Sequence, residues 1–222
     1  MKKLIIFDCD GVLVDSEIIA NRIDAEMLTS AGYSISTEES IQRFTGKNTK
    51  IVHNEIFEQT GIRLPFNFSN LVNQAIIEAF KKELKPLMLP VLSSGLVNGL
   101  SKCVASSSPR ERVILSLKMT EQYHFFDDSS IFSASQVKNG KPAPDLFLLA
   151  AKDKGYASTD CIVVEDSVAG IEAALAARMS VIAFVGGSHA NFPWYQQSIK
   201  AMGVPIAYDS KDLMNILATL AI

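Results

Sequence analysis

The chain has 222 residues, 48% of them hydrophobic and 20% charged, with a formal net charge of −3. That length supports one large core, or a core carrying an inserted domain. The charge balance lacks the basic footprint of a nucleic-acid or anionic-membrane binder, and no apolar run reaches the roughly 18 residues that a bilayer span requires.

The opening MKKLIIFDCDG has only four apolar residues in a row before Asp8, too few for the apolar region of a signal peptide, so the expected location is the cytoplasm. The first predicted strand, Lys3–Phe7, runs into Asp8-Cys9-Asp10-Gly11. Two carboxylates one residue apart are poor turn chemistry but plausible site chemistry, and Gly11 permits the tight turn that aims both. Asp15 and Ser16 are expected to cap the next helix. From Ser16 to Lys85 no strand is predicted. Helix-like segments fill that stretch at Asn21–Ala31, Thr37–Phe44, Lys50–Thr60 and Asn70–Lys82, punctuated by Gly32, Gly46 and Gly61, with Pro86 and Pro90 at the exit. Residues 16–86 are therefore expected to form an all-α cap domain inserted after the first strand, covering the Asp8/Asp10 pair.

Residues 1–15 and 87–222 are expected to form the catalytic core. There, strands Lys102–Ser106, Ile131–Ala134, Cys161–Glu165, Ser180–Val185 and Ile206–Tyr208 alternate with helices Pro109–Lys118, Asp145–Lys154, Val168–Ala177 and Ser210–Thr219. Near-continuous apolar strands alternating with helices predict an α/β fold, a parallel sheet covered by helices on both faces. Sites in such sheets lie at the carboxyl ends of the strands. Four polar features fall at such ends: Asp8 to Gly11, Ser106-Ser107-Ser108-Pro109, Gly140-Lys141-Pro142 and Glu165-Asp166-Ser167. Asp8, Asp10 and Asp166 would repel one another uncompensated, and hard carboxylate oxygens favour Mg²⁺. Lys141 and Ser106 would supply a point charge and a hydroxyl donor for phosphate oxygens. The residues alone thus indicate a Mg²⁺-assisted site for a phosphorylated ligand.

The ordered set DCDGVLVDSE, VASSSP, GKPAPDLF and VVEDSVAGIEAA resembles the haloacid dehalogenase superfamily, and within it the β-phosphoglucomutase-like branch with a helical cap. The resemblance implies a Rossmann-like sheet and a role for each matching residue. Asp8 would be the nucleophile that forms an aspartyl-phosphate. Asp10 would protonate the leaving oxygen, then deprotonate the hydrolytic water, while lending its backbone carbonyl to the metal. Asp8, Asp10, Glu165 and Asp166 would hold Mg²⁺, with Glu165 direct or through water. Ser106 would donate to the transferring phosphoryl group and Lys141 would offset the charge that builds up. Gly11 and Ser107 are further candidates for the phosphate, and Ser108 could meet it through its N–H or cap the next helix. Ser167 is expected to orient Asp166, and Asp145 to cap the helix that follows it. Around FTGKNTK, Arg43, Lys47, Asn48 and Lys50 are candidates for the rest of the substrate.

A phosphatase acting on a small phosphorylated metabolite (a sugar, sugar-acid or polyol phosphate) is the leading expectation, as a monomer or a dimer. The mutases of this branch resemble one another in a histidine early in the first cap helix and an arginine in the next cap loop. EIIANR has no histidine and FTGKNTK no arginine, which weakens the phosphomutase alternative. A phospho-accepting receiver module would need neither cap nor Asp10, and a dehalogenase would not need Asp10 or the acid pair. Cys9, Cys103 and Cys161 have no metal-type spacing and are expected to be buried reduced thiols. GGSHANFPWY, residues 186–195, is expected to be a solvent loop or partner contact, with a substrate contact as the alternative; His53, His124 and His189 are assigned no chemistry.

Overall fold

The computed structural model describes residues 3–45 and 49–220. Two compact units emerge: one joins Met1–Asp15 to Lys85–Ile222, and the other is Ser16–Leu84.

The first unit is built on six strands: β1 (Leu4–Phe7), β2 (Ser101–Ser106), β3 (Ile131–Ser133), β4 (Cys161–Glu165), β5 (Ser180–Phe184) and β6 (Ile206–Ala207). They form one sheet in the order β3-β2-β1-β4-β5-β6, and every pairing is parallel. All four residues of β1 are fully buried, which is why LIIF reads as an uninterrupted apolar run. Phe7 stands level with Val104 of β2 and Val164 of β4, so β2 reaches Ser106 and β4 reaches Glu165 beside the loop that leaves β1. Strand order reverses between β1 and β4, and the crevice outside their carboxyl ends is the usual binding position of an open α/β sheet. This architecture is the predicted α/β sheet.

Helices α7 (Arg110–Met119), α8 (Asp145–Asp153), α9 (Val168–Ala176) and α11 (Ser210–Thr219) follow the strands as expected. Three further helices of this unit escaped the sequence reading. Two, α5 (Leu89–Leu92) and α6 (Gly95–Asn98), are single turns, too short for an apolar period to show. The third, α10 (Pro193–Ala201), starts inside the segment read as a loop, with Pro193 in its first turn, where a missing N–H costs nothing.

The second unit is helical, with α1 (Glu17–Ser30), α2 (Thr37–Phe44), α3 (Thr49–Thr60) and α4 (Phe68–Glu83). Ile19, Ala25 and Leu28 of α1 are buried, as are Ile41 and Phe44 of α2 and Val72, Ile76 and Phe80 of α4. α1 packs on both α2 and α4. A buried polar pair, Ser40 Oγ donating to Asn21 Oδ1 at 3.1 Å, joins α1 to α2. Ser36 and Glu39 form a capping box at the start of α2. Lys85–Leu87 belong with the first unit because Asp15 N donates to Lys85 O, Val14 bridges to Pro86, and Leu87 N donates to Leu13 O. Among the described residues, no helix is long and apolar enough to cross a membrane.

Candidate active site

The loop leaving β1 is the centre of the site. Asp8 N still bonds Val164 O at 2.9 Å, so the sheet ladder fixes Asp8. The chain then folds back sharply: Leu13 N and Val14 N both donate to Cys9 O, and Gly11 N donates to Val14 O. Gly11 sits at φ +78°, a conformation that strains L side chains. A Cβ there would also lie 2.0 Å from Asp166 Oδ2, so the position excludes a side chain twice over. Asp8 and Asp10 both end up buried, and their carboxylates part company.

Asp8 faces the end of β4. Lys141 Nζ donates to Asp8 Oδ1 at 2.6 Å and to Glu165 Oε1 at 2.7 Å. The ammonium also lies 4.9 Å from the centroid of the buried Phe147 ring of α8, which accounts for the spacing of the phenylalanine in GKPAPDLF. The Lys141–Pro142 peptide is cis. Glu165 Oε2 accepts from Ser167 N at 2.7 Å and from Ser167 Oγ at 3.0 Å, and Ser167 Oγ accepts in turn from Gly170 N, capping α9. Ser167 therefore orients Glu165, not Asp166 as expected, because its cap geometry turns the hydroxyl toward the carboxylate two residues back. α9 approaches so closely that a Cβ on Gly170 would sit 1.8 Å from Glu165 Oε1.

One carboxylate oxygen from each of Asp8, Glu165 and Asp166 falls within 4.8 Å of the others, and all three residues are buried. Burial pushes the Asp8 carboxyl well above the usual carboxylate range; Lys141 pulls it back, and Glu165, Asp166 and Asp10 push it up further. Burial would also raise Glu165, but Lys141 and the bonds from Ser167 carry it below its ordinary value. For Lys141, burial opposes the charge, and the two carboxylates more than restore it. Lys141 meets two of the three buried carboxyls, Asp8 and Glu165. An all-oxygen set of this kind fits a small hard divalent cation.

Asp10 faces the end of β2 instead, and its carboxylate is not part of that group. Asp10 Oδ2 accepts from Ser108 Oγ at 2.6 Å and from Ser106 Oγ at 3.4 Å. Ser106 Oγ also accepts from Ser108 N at 3.0 Å, and Ser133 Oγ ties down Ser108 O at 2.8 Å. Arg112, on the first turns of α7, brings a guanidinium nitrogen to 3.9 Å from Asp10 Oδ1. Ser108 and Arg112 were not singled out as contacts of Asp10. The signal was there in SSSPRER, since a helix entered through proline brings its early residues back beside the strand end.

The capping expectations need correction. Asp15 does not cap α1: its carboxylate accepts from Ser188 N at 2.8 Å and Ser188 Oγ at 2.5 Å, across the loop that follows β5. Ser16 occupies the N-cap of α1 but makes no side-chain capping bond. Asp145 is the first residue of α8, and its carboxylate accepts from Asn139 Nδ2 at 3.0 Å. Ser107 is exposed on the rim. Arg43 is engaged inside the helical unit, paired with Glu55 at 2.9 Å and bonded to Tyr33 Oη and Gln59 Oε1. Lys47 and Asn48 lie outside the described residues, as does the side chain of Lys50. The three cysteines are free and buried. Of the three histidines left without chemistry, His189 is buried with Nε2 2.8 Å from Asp166 Oδ2.

A model of the haloacid dehalogenase-like hydrolases matches residues 5–184. The chain belongs to that family. It is 31% identical over 187 residues to the 6-phosphogluconate phosphatase of Escherichia coli (strain K12), covering 83% of each chain. It is 28% identical over 217 residues to hexitol phosphatase B of the same organism, covering 94% of this chain and 95% of that one. Among solved structures, a conserved haloacid dehalogenase-like protein from Agrobacterium tumefaciens superposes with a TM-score of 0.87 at 34% identity, over the whole of both chains.

Proposed function

We propose that this haloacid dehalogenase-like hydrolase is a cytoplasmic, Mg²⁺-dependent phosphatase that releases phosphate from a small sugar, sugar-acid or polyol phosphate through an aspartyl-phosphate on Asp8. It is a phosphoric monoester hydrolase by family and by the relatives named as phosphatases. The observation that carries the finer reading is the split at the end of β1. Asp8 enters an acid-and-ammonium group suited to a cation and a phosphate, while Asp10, two residues on, is held by hydroxyls outside it.

Asp8, Glu165 and Asp166 would hold Mg²⁺ through their side chains, with Asp10 adding its backbone carbonyl as the family resemblance implies. Bound there, the ion supplies positive charge against the phosphate oxygens. In the first step an Asp8 carboxylate oxygen bonds phosphorus, the bond to the leaving oxygen breaks, and protonated Asp10 delivers its proton to that oxygen. In the second, Asp10 takes a proton from water, the water oxygen bonds phosphorus, and the bond to Asp8 breaks. Lys141 offsets charge on Asp8 and on the transferring group, and Ser106 donates to it. The helical unit Ser16–Leu84 is assigned the part of cap and, with it, the choice of leaving group.

The test is a phosphate-release screen of purified protein over sugar, sugar-acid, polyol and nucleotide monophosphates, with Mg²⁺ and with EDTA. Release from one of the first three classes that EDTA abolishes is expected. Activity that persists without metal overturns the magnesium assignment, and isomer formation with a bisphosphate activator overturns hydrolysis in favour of a mutase.

A further inference from the structure

The mechanism above makes no use of GGSHANFPWY, yet this segment is built into the acidic half of the site. His189 is buried, with Nε2 2.8 Å from Asp166 Oδ2. Its ring stands edge-on to Tyr195 of α10, centroids 5.0 Å apart at 88°. Tyr195 Oη reaches the main-chain oxygen of Asp166 at 3.3 Å, so the His189–Tyr195 pair touches both the side chain and the backbone of one residue. Room for the imidazole exists only because two neighbours lack side chains. A Cβ on Gly11 or on Gly187 would lie 2.8 Å from His189 Cε1. The preceding residue, Ser188, is fastened by backbone and hydroxyl to Asp15 of the β1 loop. A closed circuit results, running from the β1 loop through Asp15, Ser188, His189 and Asp166 back to Gly11.

We propose that His189 is a positioning residue of the metal site: it fixes the rotation of the Asp166 carboxylate, and Asp15 and Ser188 fix His189. The inference rests on the reading of Asp8, Glu165 and Asp166 as metal ligands. A carboxylate that binds a cation through one oxygen can rotate unless its other oxygen is held, and partners of this kind typically change metal affinity 10- to 100-fold when removed. The segment read as a solvent loop is on this account part of the site's scaffold.

The experiment is Mn²⁺ binding to purified, metal-stripped protein, followed by electron paramagnetic resonance, with circular dichroism as the check on folding. His189→Phe keeps a ring against Tyr195 but offers Asp166 no polar atom; its Mn²⁺ affinity should fall by about 10- to 100-fold. His189→Gln places an amide nitrogen close to the position of Nε2 and should recover most of the loss, which a purely space-filling role would not allow. Ser188→Ala should weaken binding in the same direction by a smaller factor. Its effect decides the matter should His189→Phe fail to fold: unchanged binding overturns the proposal. So does wild-type affinity in a folded His189→Phe, or a Gln variant no better than Phe. A wild-type protein that neither binds Mn²⁺ nor releases phosphate removes the phosphatase reading itself. One that does both while His189→Phe is indifferent removes only this inference.

Discussion

The two sides of the β1 loop solve different problems. On the β4 side, Asp8, Glu165 and Asp166 bring three buried carboxyls together, two of them on one ammonium, a set that suits a cation. On the β2 side, Asp10 has hydroxyl partners and a guanidinium at 3.9 Å, a setting in which a carboxyl can exchange a proton while staying in place. Two residues of the same turn are thus given separate tasks by the strands that flank them. What this teaches is that proximity in sequence does not imply a shared environment. The parallel neighbours of β1 decide which carboxylate joins the acidic group and which meets the hydroxyls.

The largest expected effect tests the first side. Asp8→Asn should abolish turnover, by about 10⁴-fold or more, with an unchanged circular dichroism spectrum; measurable multiple turnover in that variant would mean another group bonds phosphorus. The next separates the two sides. Asp10→Asn should cut kcat by about 10²- to 10⁴-fold yet leave Mn²⁺ affinity near wild type, since its backbone carbonyl is untouched. Asp166→Asn should lose Mn²⁺ binding along with activity. Equal losses of metal affinity in the two variants would erase the division.

Within the β2 side the serines can be ranked. Ser106→Ala, which removes the proposed donor to the phosphoryl group, should cost about 10²- to 10³-fold in kcat. Ser108→Ala removes one hydrogen bond to Asp10, a change of about 1 kcal/mol, and should cost about fivefold. Reversal of that order would make Ser108 the phosphate donor. The smallest effect concerns the thiols. Burial, with Asp160 nearby, pushes the Cys161 thiol up to about 11, so almost none of it is thiolate at pH 8. Folded protein at that pH should react with a disulfide reagent far more slowly than the same protein in denaturant, and a fast native-state reaction would show that the thiol is reachable.

The sheet was legible because its strands are buried on both faces: LIIF and CIVVE carry the apolar period in the residues themselves. The acids, Lys141 and Ser106 were legible because a parallel sheet gathers strand ends, whatever the distance between them in the chain. Side-chain pairings across loops were not. Asp15 looked like a helix cap because its fastening to Ser188 joins residues 173 apart, and no local pattern records that. His189 looked idle for the same reason, since its partner lies on a different strand end. Ser167 was assigned to the wrong carboxylate because its capping hydroxyl turns back past Asp166 to the residue two before it, a matter of dihedral angle that composition does not carry.

Three absent β-carbons, at residues 11, 170 and 187, wall the acidic half of the site. Each would strike a carboxylate or the imidazole behind it, so that half has almost no freedom to vary. Across the loop, Ser107 stands on an open rim and Arg112 is only partly covered. Laboratory evolution toward a new phosphate ester should therefore accumulate its changes around α7, leaving the acidic half intact.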